Sequence, residues 1–214
     1  MGSQSTDPTR LRGLYVDDRS ALDQLLDEVV LAQVGLIAAD RAVVIPTAMA
    51  RDGDRLLIHG STGSGWMTAL AAGADACVSV TALDGVIVAR STFESSFAYR
   101  SATVFGHFVA LAGGDKKRGL TTLTEKFIPG RNGEVRASTA RELAATLVLS
   151  MPIEKWTVKV SSSWPEDPDD DVTGPAWAGI VPFGRQPAGP ARSAPDLTPG
   201  IDVPPSVLAL IDGQ

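Results

Sequence analysis

Cysteine occurs once and histidine twice in the 214 residues. Cys77 can close no internal disulfide, which fits a reducing compartment such as the cytoplasm. It lies in an apolar run, Ala76-Cys-Val-Ser-Val, and reads as a small core residue. Two histidines, with no cysteine pair and no H-E-x-x-H helix, leave no metal site of several nitrogen or sulfur ligands. Positive charge is not in excess either. The net charge is -6, so the basic stripe of a nucleic-acid binder is not expected. No apolar run approaches the roughly 18 residues of a membrane span, and the polar opening stretch has no signal-peptide pattern. A cytoplasmic protein with neither nucleic acid nor membrane as partner is expected. Hydrolase chemistry is poorly served, because no G-x-S-x-G elbow is present and the Ser-rich loop around Glu94 offers no triad. The acidic run Asp167 to Asp171 lacks the spacing and closing Glu of a calcium loop and reads as a solvated loop.

What is present is a series of short strand-like runs joined by turn signals. Apolar residues at 21, 22, 25, 26, 29 and 30 have helical spacing, with Asp18 or Ser20 as N-cap. Strands are expected over 33–39, 42–49 and 55–59, with a tight connection at Asp40-Arg41 and a hairpin turn at Asp52-Gly53-Asp54. A short helix over 65–72 leads to strands at 76–82 and 86–89, divided by an expected turn at Leu83-Asp84-Gly85. A long β-branched segment spans 101–111. Helices follow at 115–127 and 139–147, the second opened by the capping-box pattern Thr139-Ala-Arg-Glu142. Late strands are expected at 154–160 and 176–183. The charged run after Asp115 reads as a solvated face.

This order alternates hairpins, not strand and helix, so it points to a mainly β fold with peripheral α-helices, an antiparallel barrel. The domain spans 13–184. A flexible N-terminus covers 1–12, and a Pro/Gly-rich extended arm covers 185–214.

One loop carries the chemistry. Ile58-His-Gly-Ser-Thr-Gly-Ser-Gly-Trp-Met has glycines at 60 and 65, the spacing of a phosphate-binding P-loop. That loop needs Lys and a hydroxyl next, and Trp66 and Met67 supply neither, so the loop argues against a nucleotide triphosphatase. The glycines do not fit a dinucleotide fingerprint either. Anion binding remains open. Ser61, Thr62 and Ser64 bring hydroxyls, the glycines free the backbone, and a helix begins beside them. A Gly/Ser turn that merely caps a helix is the alternative.

The stretches "RDGDRLLIHGSTGSGWMTAL", "VTALDGVIVARSTFESSFAYRSATVFGHFVAL", "EKFIPGR", "ELAATLVLSMPIEKWTVKV" and "PAWAGIVPF" together resemble the FMN-binding split-barrel proteins. The nearest group is the pyridoxamine 5'-phosphate oxidase-related flavin-nucleotide-binding proteins, with nitroimidazole-resistance proteins as cousins. The resemblance runs from about Asp7 to Phe183. It implies a six-stranded antiparallel split β-barrel and a homodimer with FMN at the interface. It implies that Gly60, Ser61, Thr62 and Ser64 receive the FMN phosphate. Pro46, Thr47 and Ala48 would lie along the flavin ring, and Arg100 and Ser101 near the ring or phosphate. His59 matches a histidine beside the cofactor in the nitroimidazole-resistance branch and is the candidate catalytic residue. One histidine could instead ligate haem, as in some split-barrel relatives.

The sequence departs from the family where a cation commonly follows the loop, since Gly65 and Trp66 stand there. Losing a charge-assisted hydrogen bond weakens binding by about 1.5–3 kcal/mol, or roughly tenfold to a hundredfold. Arg100 could compensate if it points inward. Trp66 is expected to pack in the core or an interface, or to stack on a ligand. The expectation is an FMN-dependent oxidoreductase. The alternatives are a non-catalytic binder of FMN, haem or another ring-shaped ligand, and a homologue that has lost its cofactor.

Overall fold

The computed structural model describes residues 12–184, 191, 200 and 202–212. The flexible N-terminus expected over 1–12 lies outside them except for Arg12, as does most of the arm expected over 185–214.

The strands are β1 (Tyr15–Val16), β2 (Leu31–Ala38), β3 (Arg41–Asp52), β4 (Arg55–Ser61), β5 (Asp75–Val88), β6 (Ser96–His107), β7 (Val109–Ala110), β8 (Thr146–Pro152), β9 (Lys155–Ser161) and β10 (Gly179–Pro182). The helices are α1 (Arg19–Glu28), α2 (Gly65–Ala71), α3 (Gly113–Phe127), α4 (Ala140–Ala145), α5 (Asp169–Val172) and α6 (Pro205–Asp212). The 10-stranded sheet runs β1-β9-β6-β5-β2-β3-β4-β8-β7, with β10 added on β5. Every pairing is antiparallel. Six strands were expected; the short β1, β7 and β10 at the margins account for part of the excess.

Two places split the barrel. β3 pairs with β2 through Ala48 and with β4 from Met49 onward. The β6 ladder ends at His107, and after Phe108 the chain pairs with β8 as β7. A large half-sheet (β1, β9, β6, β5, β2 and 41–48 of β3) thus passes into a small one (49–52 of β3, β4, β8 and β7). The core lies between them. Val34, Val78, Val80, Ala102 and Val104 from the large half meet Leu56, Ile58, Leu149 and Met151 from the small half. Leu22, Leu25 and Leu26 of α1 and Met67 and Leu70 of α2 join this core. Each such burial contributes about 1.5–3 kcal/mol. That is what holds α2, whose seven residues are too few to stay helical alone. The outer side of the small half is also covered. Ala50, Leu57 and Val148 pack there against Leu123 of α3.

Asp18 caps α1 by accepting from the Ser20 amide. The turn between β2 and β3 falls at Ala39 and Asp40, both at positive φ, the backbone of a two-residue hairpin turn.

Several expectations are corrected. Leu83-Asp84-Gly85 is no turn: β5 runs straight through it, with the register shifting there. A Cβ on Gly85 would stand 2.6 Å from the Val181 carbonyl oxygen, so the glycine admits β10 and does not reverse the chain. Asp167 is not solvated. Its side chain is 1% exposed and accepts from the Arg90 amide at 2.7 Å and from its guanidinium at 2.9 Å. The arm is not wholly extended, because 205–212 form α6, and Ser206 is buried with its amide on the Glu134 carboxylate. Cys77 is not the core residue expected: it is half-buried and faces outward beside Gly35, whose added Cβ would lie 2.9 Å from its Sγ.

Candidate functional site

His59, Gly60 and Ser61 end β4, and the chain turns through Thr62 and Gly63 into α2. Gly60 is required for packing: a Cβ there would approach Met67 Cγ to 2.9 Å. Much of the loop's donor capacity is used internally. Thr62 gives both its amide, at 3.0 Å, and its hydroxyl, at 3.3 Å, to the Ala145 carbonyl. The Gly63 amide donates to Ser61 Oγ and the Ser64 amide to Ser61 O. Ser64 stands at the N-cap of α2 without a side-chain capping bond. Its hydroxyl, the Ser61 hydroxyl, which only accepts from Gly63, and the first-turn amides of Gly65, Trp66 and Met67 are the open donors among the described residues. Trp66 packs half-buried against the barrel core.

The cation absent from the loop has a neighbour that the sequence did not single out. Lys116 of α3 reaches the end of α4 and donates to the Leu143 carbonyl at 2.6 Å. Two residues on, Ala145 anchors Thr62. Lys116 and the loop therefore share one helix terminus. In the sequence it was hidden in a charged run that read as solvated.

Strand alternation sorts the remaining candidates. Cross-strand partners share a face. Ala48 pairs with Leu31 and Pro46 with Gln33, Gln33 pairs with Ser79, and Thr81 pairs with Ser101. Pro46, Ala48 and Ser101 thus stand on the outer face of the large half. Thr47 and Arg100 carry the opposite parity and face inward. The Met49 amide donates to Val30, so odd residues of β3 bond toward β2 and Pro46 and Ala48 turn their backbone groups to the other edge. The β4 ladder stops at the Met49–Ile58 pair, which leaves that edge of β3 without a strand over 41–48 among the described residues. A proline tolerates this edge because it has no N–H to pair.

Ser101 reaches the same face but not the same place. β5 and β2 lie between β6 and β3, so about 14 Å separates it from Ala48 at ordinary strand spacing. Beside it on β9 is Lys159, another cation that no sequence motif marks. Its Nζ donates to the Tyr99 hydroxyl at 2.6 Å and stands 5.1 Å from the ring centre. Alternation along Lys155-Trp-Thr-Val-Lys159 is the signal that could have placed it outward.

Arg100 does not compensate for the missing cation. Nε and one terminal nitrogen hold Asp84 at 2.9 and 2.7 Å, and both terminal nitrogens hold Glu28 at 2.8 and 3.2 Å. It ties the bulged β5 to the end of α1 and is not directed at the loop.

His59 lies on the outer side of the small half, opposite in parity to the buried Ile58. Its Nδ1 is buried and has no hydrogen-bond partner among the described residues. Burial pushes the imidazole pKa below its ordinary value. Such an orphaned atom in a native protein calls for a ligand or a chemical role. His107 differs: it is exposed and pairs with the exposed Asp75 at 2.8 Å. Among the described residues, no group of His, Cys, Asp or Glu is placed to hold a metal ion. None of their helices is long and apolar enough to cross a membrane.

A family model described as pyridoxamine 5'-phosphate oxidase matches residues 18–160. The chain belongs to the pyridoxamine 5'-phosphate oxidase family. Two solved structures resemble this family member along nearly its whole length. The FAD and haem binding protein of Mycobacterium smegmatis is 51% identical, with a TM-score of 0.88, covering 92% of this chain and 97% of that one. A flavocytochrome of Azotobacter vinelandii is 31% identical, with a TM-score of 0.87, covering 95% and 94%. A candidate 5-nitroimidazole antibiotic resistance protein of Bacteroides thetaiotaomicron shares the fold at 15% identity and a TM-score of 0.58, covering 68% and 86%. No curated protein matches the chain. The split barrel expected of the pyridoxamine 5'-phosphate oxidase family is the fold observed.

Proposed function

We propose that this chain is a redox protein that binds a flavin and a haem, with His59 as the axial haem ligand. The observation that carries the reading is the buried, unpartnered Nδ1 of His59 beside the loop. A histidine whose pKa is lowered is neutral near pH 7, so it donates a proton poorly and ligates iron well. That favours ligation over the catalytic proton transfer that the sequence suggested. Two relatives above 30% identity support the cofactor pair, since one is named for FAD and haem and the other as a flavocytochrome.

The residues present fit a flavin. The free edge of β3 at Pro46 and Ala48 offers backbone groups to a ring. Ser64 and the first turn of α2 offer donors to a phosphate, with Lys116 at the adjoining helix end. Thr62 supports the loop by holding Ala145. A bound flavin supplies hydride or single-electron transfer, and a haem supplies one-electron chemistry.

The site is completed by a second copy. Leu31, Ile37 and Val44 are 50%, 63% and 65% exposed on the outer face that carries Pro46 and Ala48. Monomers rarely leave such a contiguous apolar face open. In a homodimer built on this face, Ser101 and Lys159 would come from the partner.

The absorbance spectrum of the purified protein, after reconstitution with haem and flavin, tests the reading. A Soret band and flavin bands are expected. His59→Ala should lose the Soret band and keep the flavin, whereas His107→Ala should keep both. A Soret band unchanged in His59→Ala removes His59 as ligand. A wild-type protein that takes up neither group ends the proposal.

A further inference from the structure

We infer that the cavity between α3 and α4 receives the adenosine end of a flavin dinucleotide, an inference that rests on the flavin reading above. The cavity measures about 530 Å³, within the range of small-molecule sites. It is distinct from the loop at the end of β4. One wall is a single face of α3, formed by Lys117, Leu120, Thr121 and Thr124, which are spaced three and four apart. The facing wall brings Val135 and Leu143.

Its chemistry selects the ligand. Leu120, Val135 and Leu143 supply apolar surface for a flat ring. Three of the neutral polar side chains, Thr121, Thr124 and Asn132, face it as acceptors. Thr121 and Thr124 donate their hydroxyl protons to the Lys117 and Leu120 carbonyls, at 3.1 and 3.0 Å. Their lone pairs remain open. Asn132 directs its amide nitrogen to the Thr121 carbonyl at 3.2 Å and to Glu125, leaving its Oδ1 to accept. A ring bearing an amino group, as adenine does, meets these acceptors with a donor. Two cations border the same space. Lys117 has no ion pair among the described residues, while Arg136 is held by Glu142 at 2.7 and 2.9 Å. Lys117 is thus the free charge for a phosphate.

The cavity is also in the right place. Leu143 lines it, and the Leu143 carbonyl holds Lys116. Ala145, less than one helical turn (about 5.4 Å) further on, holds Thr62. A ligand whose first phosphate lies at the loop needs a second phosphate and a ribose to round the end of α4. FMN ends at the loop, and FAD has those groups.

Titration of the full-length protein with FMN, FAD and AMP tests this, read by flavin fluorescence and calorimetry. FAD is expected to bind at least tenfold tighter than FMN, and AMP should compete with FAD but not with FMN. Val135→Trp fills the cavity from an exposed position and should bring FAD affinity down to that of FMN, with FMN affinity unchanged. Lys117→Ala should weaken FAD alone. Equal affinity for the two flavins in the wild type, or an FAD preference that survives Val135→Trp, overturns the cavity assignment and leaves the flavin reading standing. Failure of both flavins to bind overturns the two together.

Discussion

Arg100 has its guanidinium on two carboxylates, Asp84 and Glu28. Their hydrogen bonds hold its pKa well above the ordinary arginine value. About a third of each side chain is exposed, so solvent screening reduces the Coulomb part and the hydrogen bonds carry most of the effect. Arg100→Met should therefore lower stability by about 1–3 kcal/mol, read as a shift in the urea midpoint, and leave flavin uptake unaltered. Loss of flavin with unchanged stability would return Arg100 to the site. This role was hidden from the sequence by Asp84. An Asp-Gly pair marks a turn or a bulge alike, since each needs a residue that tolerates unusual backbone angles. Only β10 seated over Gly85 decides between them. The loop at Ser61 to Ser64 was legible, because its glycines and hydroxyls announce themselves. Lys116 was not, because a lysine in a charged run looks like any solvated lysine until α4 is set against it.

The six residues of α4 cannot persist as an isolated helix. Thr139 and Glu142 cap it reciprocally. Glu142 is held down to about 2, first by Arg136 and then by the cap bonds from Thr139. The far end of the helix bears Thr62 and Lys116. Thr139→Ala should cost about 1 kcal/mol and, by loosening Ala145, weaken flavin binding severalfold. Thr139→Ser should restore both. Equal flavin affinity in Thr139→Ala and the wild type would show that the loop does not depend on α4. The cap could be read from Thr-x-x-Glu, but the end of the helix could not. The expected helix ran to Leu147, whereas β8 begins at Thr146. Val148, Leu149, Ser150 and Met151 are all buried, one side in the barrel and the other under α3. A strand buried on both faces shows no alternation, so periodicity cannot separate it from a helix.

At the scale of the molecule, Leu31, Ile37 and Val44 on the outer face of the large half are the surface proposed to receive a second copy. Val44→Asp puts an unpaired charge at its centre. Light scattering should show a monomer, and flavin should be lost with the dimer. A Val44→Asp dimer with full flavin content would move the interface elsewhere. The barrel class was legible because successive hairpin signals admit little else. The split at Met49 was not, since no composition change marks it. Its trace is Pro46, a residue that ends pairing on one edge.

The pairing of β4 with β8 also sets an order of events during synthesis. The Thr62–Ala145 bond joins residues 83 apart. A ribosome adding about 5–20 residues per second leaves β4 waiting several seconds for its partner. Leu56, Leu57 and Ile58 spend that interval on an open sheet edge, the kind of strand that recruits neighbouring chains. A cofactor held at this loop would be captured only after β8 is translated, and until then the open edge of β4 is the stretch of the nascent chain most exposed to wrong pairing.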